Sequence, residues 1–174
     1  MTGPKRPLTL QGYRGLLAEH EQLHKVERPR VVVGVTNAAA EGDRSENAEY
    51  IYGKKRLREI DKRLQYLASL LQDVEIVDPA TLQGEKVCFG STAVILEPVA
   101  RGPAVQKKWQ IVGEGESDTA RGTISWQSPM ARALMGKSVG DIVTVERPAG
   151  EIEVELIELW FGDRLVVGRR PSSA

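Results

Sequence analysis

The stretch Glu41-Gly42-Asp43-Arg44-Ser45-Glu46-Asn47-Ala48-Glu49 holds four acids and one base, and Lys54-Lys55-Arg56-Leu57-Arg58 follows with four bases in five residues. Carboxylate oxygens are hard ligands that suit Mg²⁺, an ion usually held through one or two carboxylates and the phosphate oxygens of a partner molecule. Lysine and arginine suit a phosphodiester backbone. Asp43 and Glu46 are therefore candidates for metal-assisted phosphate chemistry, and Lys54, Lys55, Arg56 and Arg58 for holding a nucleic-acid strand beside it. A structural alternative fits the same residues. Asp43-x-x-Glu46 matches a capping box with Asp in place of Ser or Thr, and acids at a helix start are favoured by the helix dipole. The basic run could equally be a solvated helix face partnered by Glu59 and Asp61. On residue types alone both readings stand.

Two further motifs could carry chemistry. His20-Glu21-Gln22-Leu23-His24 matches H-E-x-x-H, the pattern of a zinc peptidase helix. A catalytic zinc needs a third protein ligand, and these are the chain's 2 histidines. The motif is thus a remote alternative, with two helix-surface imidazoles that could take adventitious metal as the plainer expectation. Gly113-Glu114-Gly115-Glu116 lacks the lysine and the strand-to-helix context of a phosphate loop, and its acids would repel phosphate, so it reads as a turn.

The elements that must position the acids are legible from periodicity. From Thr9 to about Val77 apolar residues recur at helical spacing, broken by turn signals only around Glu41-Gly42-Asp43, which predicts two long helices and one tight connection. In the second, Tyr50, Leu57, Ile60, Leu64, Leu67, Leu71 and Val74 follow alternating steps of three and four, with Gly53 at the one missing seam position, as in a coiled coil. The first helix can take Thr9 as its N-cap and offers Leu10, Tyr13, Leu16, Leu17, Leu23 and Val26 as its apolar face. Pro29 removes an amide donor inside this pattern and predicts a kink or brief break, after which Val31, Val32, Val33 and Val35 resume it. At 1.5 Å per residue each arm of ~30 residues spans roughly 45 Å. A hairpin of that reach makes its tip, residues 42–46, the working end.

After Asp78-Pro79 the pattern changes to short β-type runs at 86–89, 92–96, 108–112, 123–126, 142–145 and 152–160. Ile152, Val154 and Leu156 alternate with Glu151, Glu153 and Glu155, the signature of a strand with one buried and one wet face. Ser128-Pro129-Met130-Ala131-Arg132-Ala133-Leu134-Met135-Gly136 reads as a short helix with Ser as N-cap, Pro in its first turn and Gly past its end. The fold class expected is α+β: an N-terminal lead at 1–8, a coiled-coil hairpin at 9–77, an antiparallel sheet domain at 78–162 and a loose tail at 163–174.

The 174 residues carry 24 basic and 24 acidic side chains, so any nucleic-acid contact must come from local patches and not from net charge. The single cysteine, Cys88, excludes an internal disulfide and reads as a small buried residue in a strand. No apolar run follows the N-terminal charges and none approaches the ~18 residues of a membrane span, so a cytoplasmic location with no membrane partner is expected.

Gly42-Asp43-Arg44-Ser45-Glu46-Asn47-Ala48-Glu49-Tyr50 resembles the tip signature of the bacterial GreA/GreB transcript-cleavage factors, and Lys54 to Asp61 resembles the GreB branch more than the GreA branch. Ser128 to Leu134 is a second match far along the chain. Gly12-Tyr13, Glu27-Arg28-Pro29, Ile111-Val112-Gly113 and Val139-Gly140-Asp141 extend the likeness over about residues 8 to 161. The resemblance implies a coiled-coil hairpin and an FKBP-like domain that docks at the rim of the secondary channel of RNA polymerase through Ser128, Pro129, Met130 and Arg132. It implies that Asp43 helps to hold a second Mg²⁺ at the polymerase active centre, with Glu46 acting on the attacking water, and that Lys54, Lys55, Arg56 and Arg58 hold the 3′ segment of backtracked nascent RNA. The chain would be a monomer that activates the polymerase's nuclease activity and is not itself an enzyme. Two features depart from the family pattern: Gln127, where Asp or Asn is expected, and the length of the chain after Gly162. A regulator that binds the channel without promoting cleavage is the competing function. An FKBP-like domain does not by itself carry prolyl isomerase activity, and aromatics that could line such a pocket are few, at 5%.

Overall fold

A computed structural model describes residues 5–42 and 47–168. Asp43 and Glu46 lie outside them. The chain divides into two compact units, Tyr13–Asp73 on one side and Met1–Gly12 with Val74–Ala174 on the other. The class is α+β, with a helical hairpin and a curled sheet, as the sequence patterns indicate.

The first arm of the hairpin is α1 (Leu10–Gln22), a π-helical turn at Leu23–Glu27 and α2 (Arg28–Ala40); the second is α3 (Ala48–Leu71). The break expected at Pro29 takes the form of the π turn. Pro29 sits in the first turn of α2, and the Arg28 amide just before it bonds to the Leu23 carbonyl five residues back, the spacing of a π turn. Along the seam of α3, Ile60 and Leu67 are buried, and Tyr50, Leu57 and Leu64 are half-buried. Gly53 is needed there, because a Cβ on it would come within 2.6 Å of Val35 Cγ2. Ion pairs between the arms hold the register: Arg63 grips Glu19 through Nε and Nη2 at 2.7 and 2.9 Å, Arg28 Nε meets Asp61 at 2.7 Å, and Arg56 reaches Glu27.

In the other unit, β1 (Arg6–Thr9) pairs in parallel with β2 (Val74–Val77). The six-stranded sheet is built from β3 (Thr92–Glu97), β4 (Val105–Val112), β5 (Thr123–Ser125), β6 (Ile142–Arg147), β7 (Gly150–Phe161) and β8 (Arg164–Gly168). Its order is β5-β4-β3-β7-β6, with β8 also on β7; all pairs are antiparallel except β4–β5. Helix α4 (Pro129–Leu134) covers part of the core, burying Ala131 and Leu134 among Ile95, Ile111, Leu156 and Phe161. In β7 the alternation holds: Val154 and Leu156 are buried, Glu151 and Glu153 exposed.

Four expectations change. Residues 6–9 of the N-terminal lead form a strand, because the backbone from Arg6 to Thr9 finds a ladder partner in Val74–Val77. Val74 belongs to that partner and not to the helical seam; Asp73, at φ 52°, turns the chain out of α3. The run 86–89 is not a strand, since only Lys86 bridges Ser138, while Cys88 turns back through the Ser91 hydroxyl and is half-buried, burial pushing its thiol pKa up. Residues 164–168 of the supposed tail pair with the far end of β7, where Arg164 lies over the Phe161 ring at 5.6 Å and donates to the Leu82 carbonyl at 2.8 Å.

Candidate functional site at the hairpin end

The end of the hairpin is closed by Asn47. As N-cap of α3 its Oδ1 accepts from the Tyr50 amide at 3.1 Å. Its Nδ2 donates to the Ala38 carbonyl of α2 at 2.9 Å. One carboxamide thus satisfies an orphan donor at the start of one helix and gives a carbonyl near the end of the other a second donor. The glutamate at 41 closes α2 by its own backbone, donating to Ala38 O at 3.3 Å, and Gly42 takes φ 141°, open to glycine alone among ordinary residues. The start of α3 is thus capped by Asn47. Asn47 is the residue that sequence reasoning missed. Its signal was present, an Asn directly before a long helical run, but the acids upstream offered a competing start.

The four bases behind the tip are not equivalent. Arg56 is tied to Glu27 through Nε at 2.9 Å and to Glu59 at 3.2 Å, and the hydrogen bond to Glu27 is the main reason its pKa is raised. Lys55 and Arg58 are exposed and Lys54 half-exposed. None of those three has an ion pair among the described residues. Positions 54 and 58, four apart, share one face of α3, and 55, three before 58, adjoins it.

His20 and His24 stack with ring centroids 6.0 Å apart. Among the described residues no group of three or more His, Cys, Asp or Glu could hold a metal ion, so the H-E-x-x-H match lacks a third ligand there.

In the sheet unit, the docking residues inferred from the second motif fall at α4. Ser128 is its N-cap, accepting from the Ala131 amide at 3.2 Å. Met130 packs on the core, while Pro129 and Arg132 stay exposed. Gln127 is exposed beside them. The remaining polar cluster joins residues far apart in sequence. Glu116 accepts from the Thr9 amide and the Thr9 hydroxyl, both at 2.8 Å, and Thr9 Oγ1 accepts from the Gly12 amide at 3.0 Å. Thr9 is the N-cap of α1, as its sequence position suggested, but the acid of the capping box comes from 107 residues away. Burial pushes the Glu116 carboxyl pKa up, against the opposing pull of its Thr9 hydrogen bonds. The Gly113–Glu116 segment is a turn, closed by the Glu116 amide on Gly113 O at 3.3 Å, and no local signal marked Glu116 as a cap.

No helix among the described residues is long and apolar enough to cross a membrane. The family description "Transcription elongation factor, N-terminal" matches residues 6–76, and "Transcription elongation factor, GreA/GreB, C-term" matches residues 82–161. Transcription elongation factor GreB of Pasteurella multocida is 47% identical over 154 residues, 88% of this chain and 95% of that protein. Transcription elongation factor GreA of Helicobacter pylori strain G27 is 39% identical over 157 residues, 90% and 94% of the two chains. Among solved structures, GreA factor homolog 1 (Gfh1) of Thermus thermophilus is 22% identical with a TM-score of 0.41, covering 90% of this chain and 99% of that one. The sequence relationships and the two matched halves make the chain a member of the GreA/GreB family of transcription elongation factors.

Proposed function

We propose that this elongation factor stimulates bacterial RNA polymerase to cleave its own backtracked nascent RNA. The hairpin enters the secondary channel, with the sheet unit docked at the rim through Pro129 and Arg132 and with Ser128 and Met130 holding α4 in shape. Asp43 joins the polymerase carboxylates in holding a second Mg²⁺, which when bound supplies water activation and neutralises charge on the phosphate. Glu46 orients the attacking water and takes its proton. Lys54, Lys55 and Arg58 hold the displaced 3′ segment of the RNA; Arg56, bonded to Glu27 and Glu59, steadies the hairpin beside them. The chain acts as a monomer and donates half of a composite site.

The observation that carries this reading is the Asn47 closure: the hairpin end is capped by a carboxamide that touches both arms, so the acids joining Gly42 to Asn47 are not needed as the cap. The test uses purified polymerase stalled in a backtracked complex. Adding the protein should release short 3′ RNA fragments, and Asp43→Ala should reduce cleavage by at least ~10-fold, at ~1.4 kcal/mol per tenfold, while polymerase binding persists. Binding without cleavage by the unaltered protein would favour the channel-blocking regulator, and full cleavage by Asp43→Ala would refute the site.

A further inference from the structure

One face of the hairpin carries a groove of about 570 Å³ between α2 and α3, inside the size range of sites that accept a side chain or small ligand. Val31, Gly34, Val35 and Gly53 line it, together with Val26 and Tyr52, which are 52% and 72% exposed. The two glycines differ. Gly53 is required by packing, as Val35 shows. Gly34 is not: a Cβ there would meet nothing within 4 Å, yet a glycine inside a helix costs about 1 kcal/mol relative to alanine. Gly34 lines the groove, so a side chain at that position would take up part of it.

The charges around the groove indicate what it receives. Glu27 and Arg56 neutralise each other at 2.9 Å. Arg30 and Glu49, one of each sign, also line it and have no ion pair among the described residues. A balanced rim exerts no net pull on a polyanion. Lys54, Lys55 and Arg58, which have no ion pair among the described residues, do not line the groove; on α3 the lining positions 49, 52, 53 and 56 form one face, and 54 and 58 belong to another. An apolar lining that includes tyrosine and arginine is the composition of a protein-binding hot spot.

We infer that this groove is a protein-docking seat, which takes an apolar side chain of an RNA polymerase segment flanked by an acid facing Arg30 and a base facing Glu49, while the RNA runs along the other, basic face. The inference rests on the proposed function above. It is tested with purified polymerase and the full chain carrying Gly34→Leu, which puts a side chain into the groove from a position where an added Cβ meets no neighbour. Binding should weaken at least tenfold although hairpin helicity and denaturation midpoint are kept, and Gly34→Ala should raise the midpoint while weakening binding less. A benzophenone side chain at position 52 should cross-link to a polymerase polypeptide. Unchanged binding by Gly34→Leu, a cross-link to RNA, or a cross-link to a second copy of the chain each overturns the seat. If the unaltered chain does not bind polymerase, the proposed function itself fails, a distinct result.

Discussion

Removing Glu116 should cost far more than its position in a surface turn suggests. In Glu116→Ala the Thr9 amide and hydroxyl lose their acceptors, and Thr9 is 3% exposed, so water does not readily replace them. Hydrogen bonds to a charged group contribute about 1.5–3 kcal/mol each, and the partial exposure of the carboxylate argues for the low end, giving a loss of about 2–3 kcal/mol. Gly12 makes the reasoning refutable. A Cβ on Gly12 would lie 2.1 Å from Glu116 Cδ and 2.3 Å from Oε2, so Gly12→Ala must push the carboxylate off Thr9. It should lose the same bonds and regain about 1 kcal/mol of helix propensity, a net cost of about 1–2 kcal/mol. Once Glu116 is alanine the three atoms nearest that Cβ are gone, and the double variant should be about 1 kcal/mol more stable than Glu116→Ala alone. The costs are therefore sub-additive by about 2–3 kcal/mol. Denaturant unfolding of all four proteins gives the cycle, and amide exchange at Thr9 and Gly12 reports the site directly. Additive costs, or a Thr9 amide equally protected without Glu116, would refute the trans-capping account.

The same carboxyl sets a pH dependence. Its pKa in the folded chain is raised above the ordinary 4.5 by burial, so folding shifts the balance toward the neutral form, and its contribution is full below that value and lost as pH rises through the folded pKa. The stability of the unaltered protein relative to Glu116→Gln should therefore improve as pH falls from 7 to 4; a flat difference across that window would contradict the burial. Asn47→Ala should cost about 1 kcal/mol of hairpin stability through the lost N-cap and should lower transcript cleavage more than polymerase binding, whereas Asn47→Asp, which keeps the cap acceptor but cannot donate to Ala38, should recover stability better than cleavage. Equal losses in binding and cleavage for both variants would make Asn47 a purely structural residue.

The hairpin was legible because its determinants are local. The three–four spacing from Tyr50 to Leu67 marks the seam, Gly53 its gap, and Pro29 the irregular turn, since each acts within one or two helical turns of itself. Ser128-Pro129 before α4 and the Val154–Leu156 alternation in β7 were legible for the same reason. The strand pairing of residues 6–9 with 74–77 was not: four residues of neutral propensity become a strand only when a partner edge is supplied from across the chain. Residues 164–168 likewise needed the far end of β7.

For the candidate site, residue chemistry alone singled out Asp43, Glu46 and the basic run, because acid and base types and their spacing are properties of the chain itself. Which of those bases has its charge already answered is a matter of partners, and only the fold shows Arg56 bonded to Glu27 from the other arm. The same holds for Asn47 and Glu116, ordinary polar residues until folding brings Ala38 and Thr9 within hydrogen-bond reach. Periodicity and residue type act over a few positions and survive in a linear sequence; a hydrogen bond across 107 residues exists only after the chain has closed that loop.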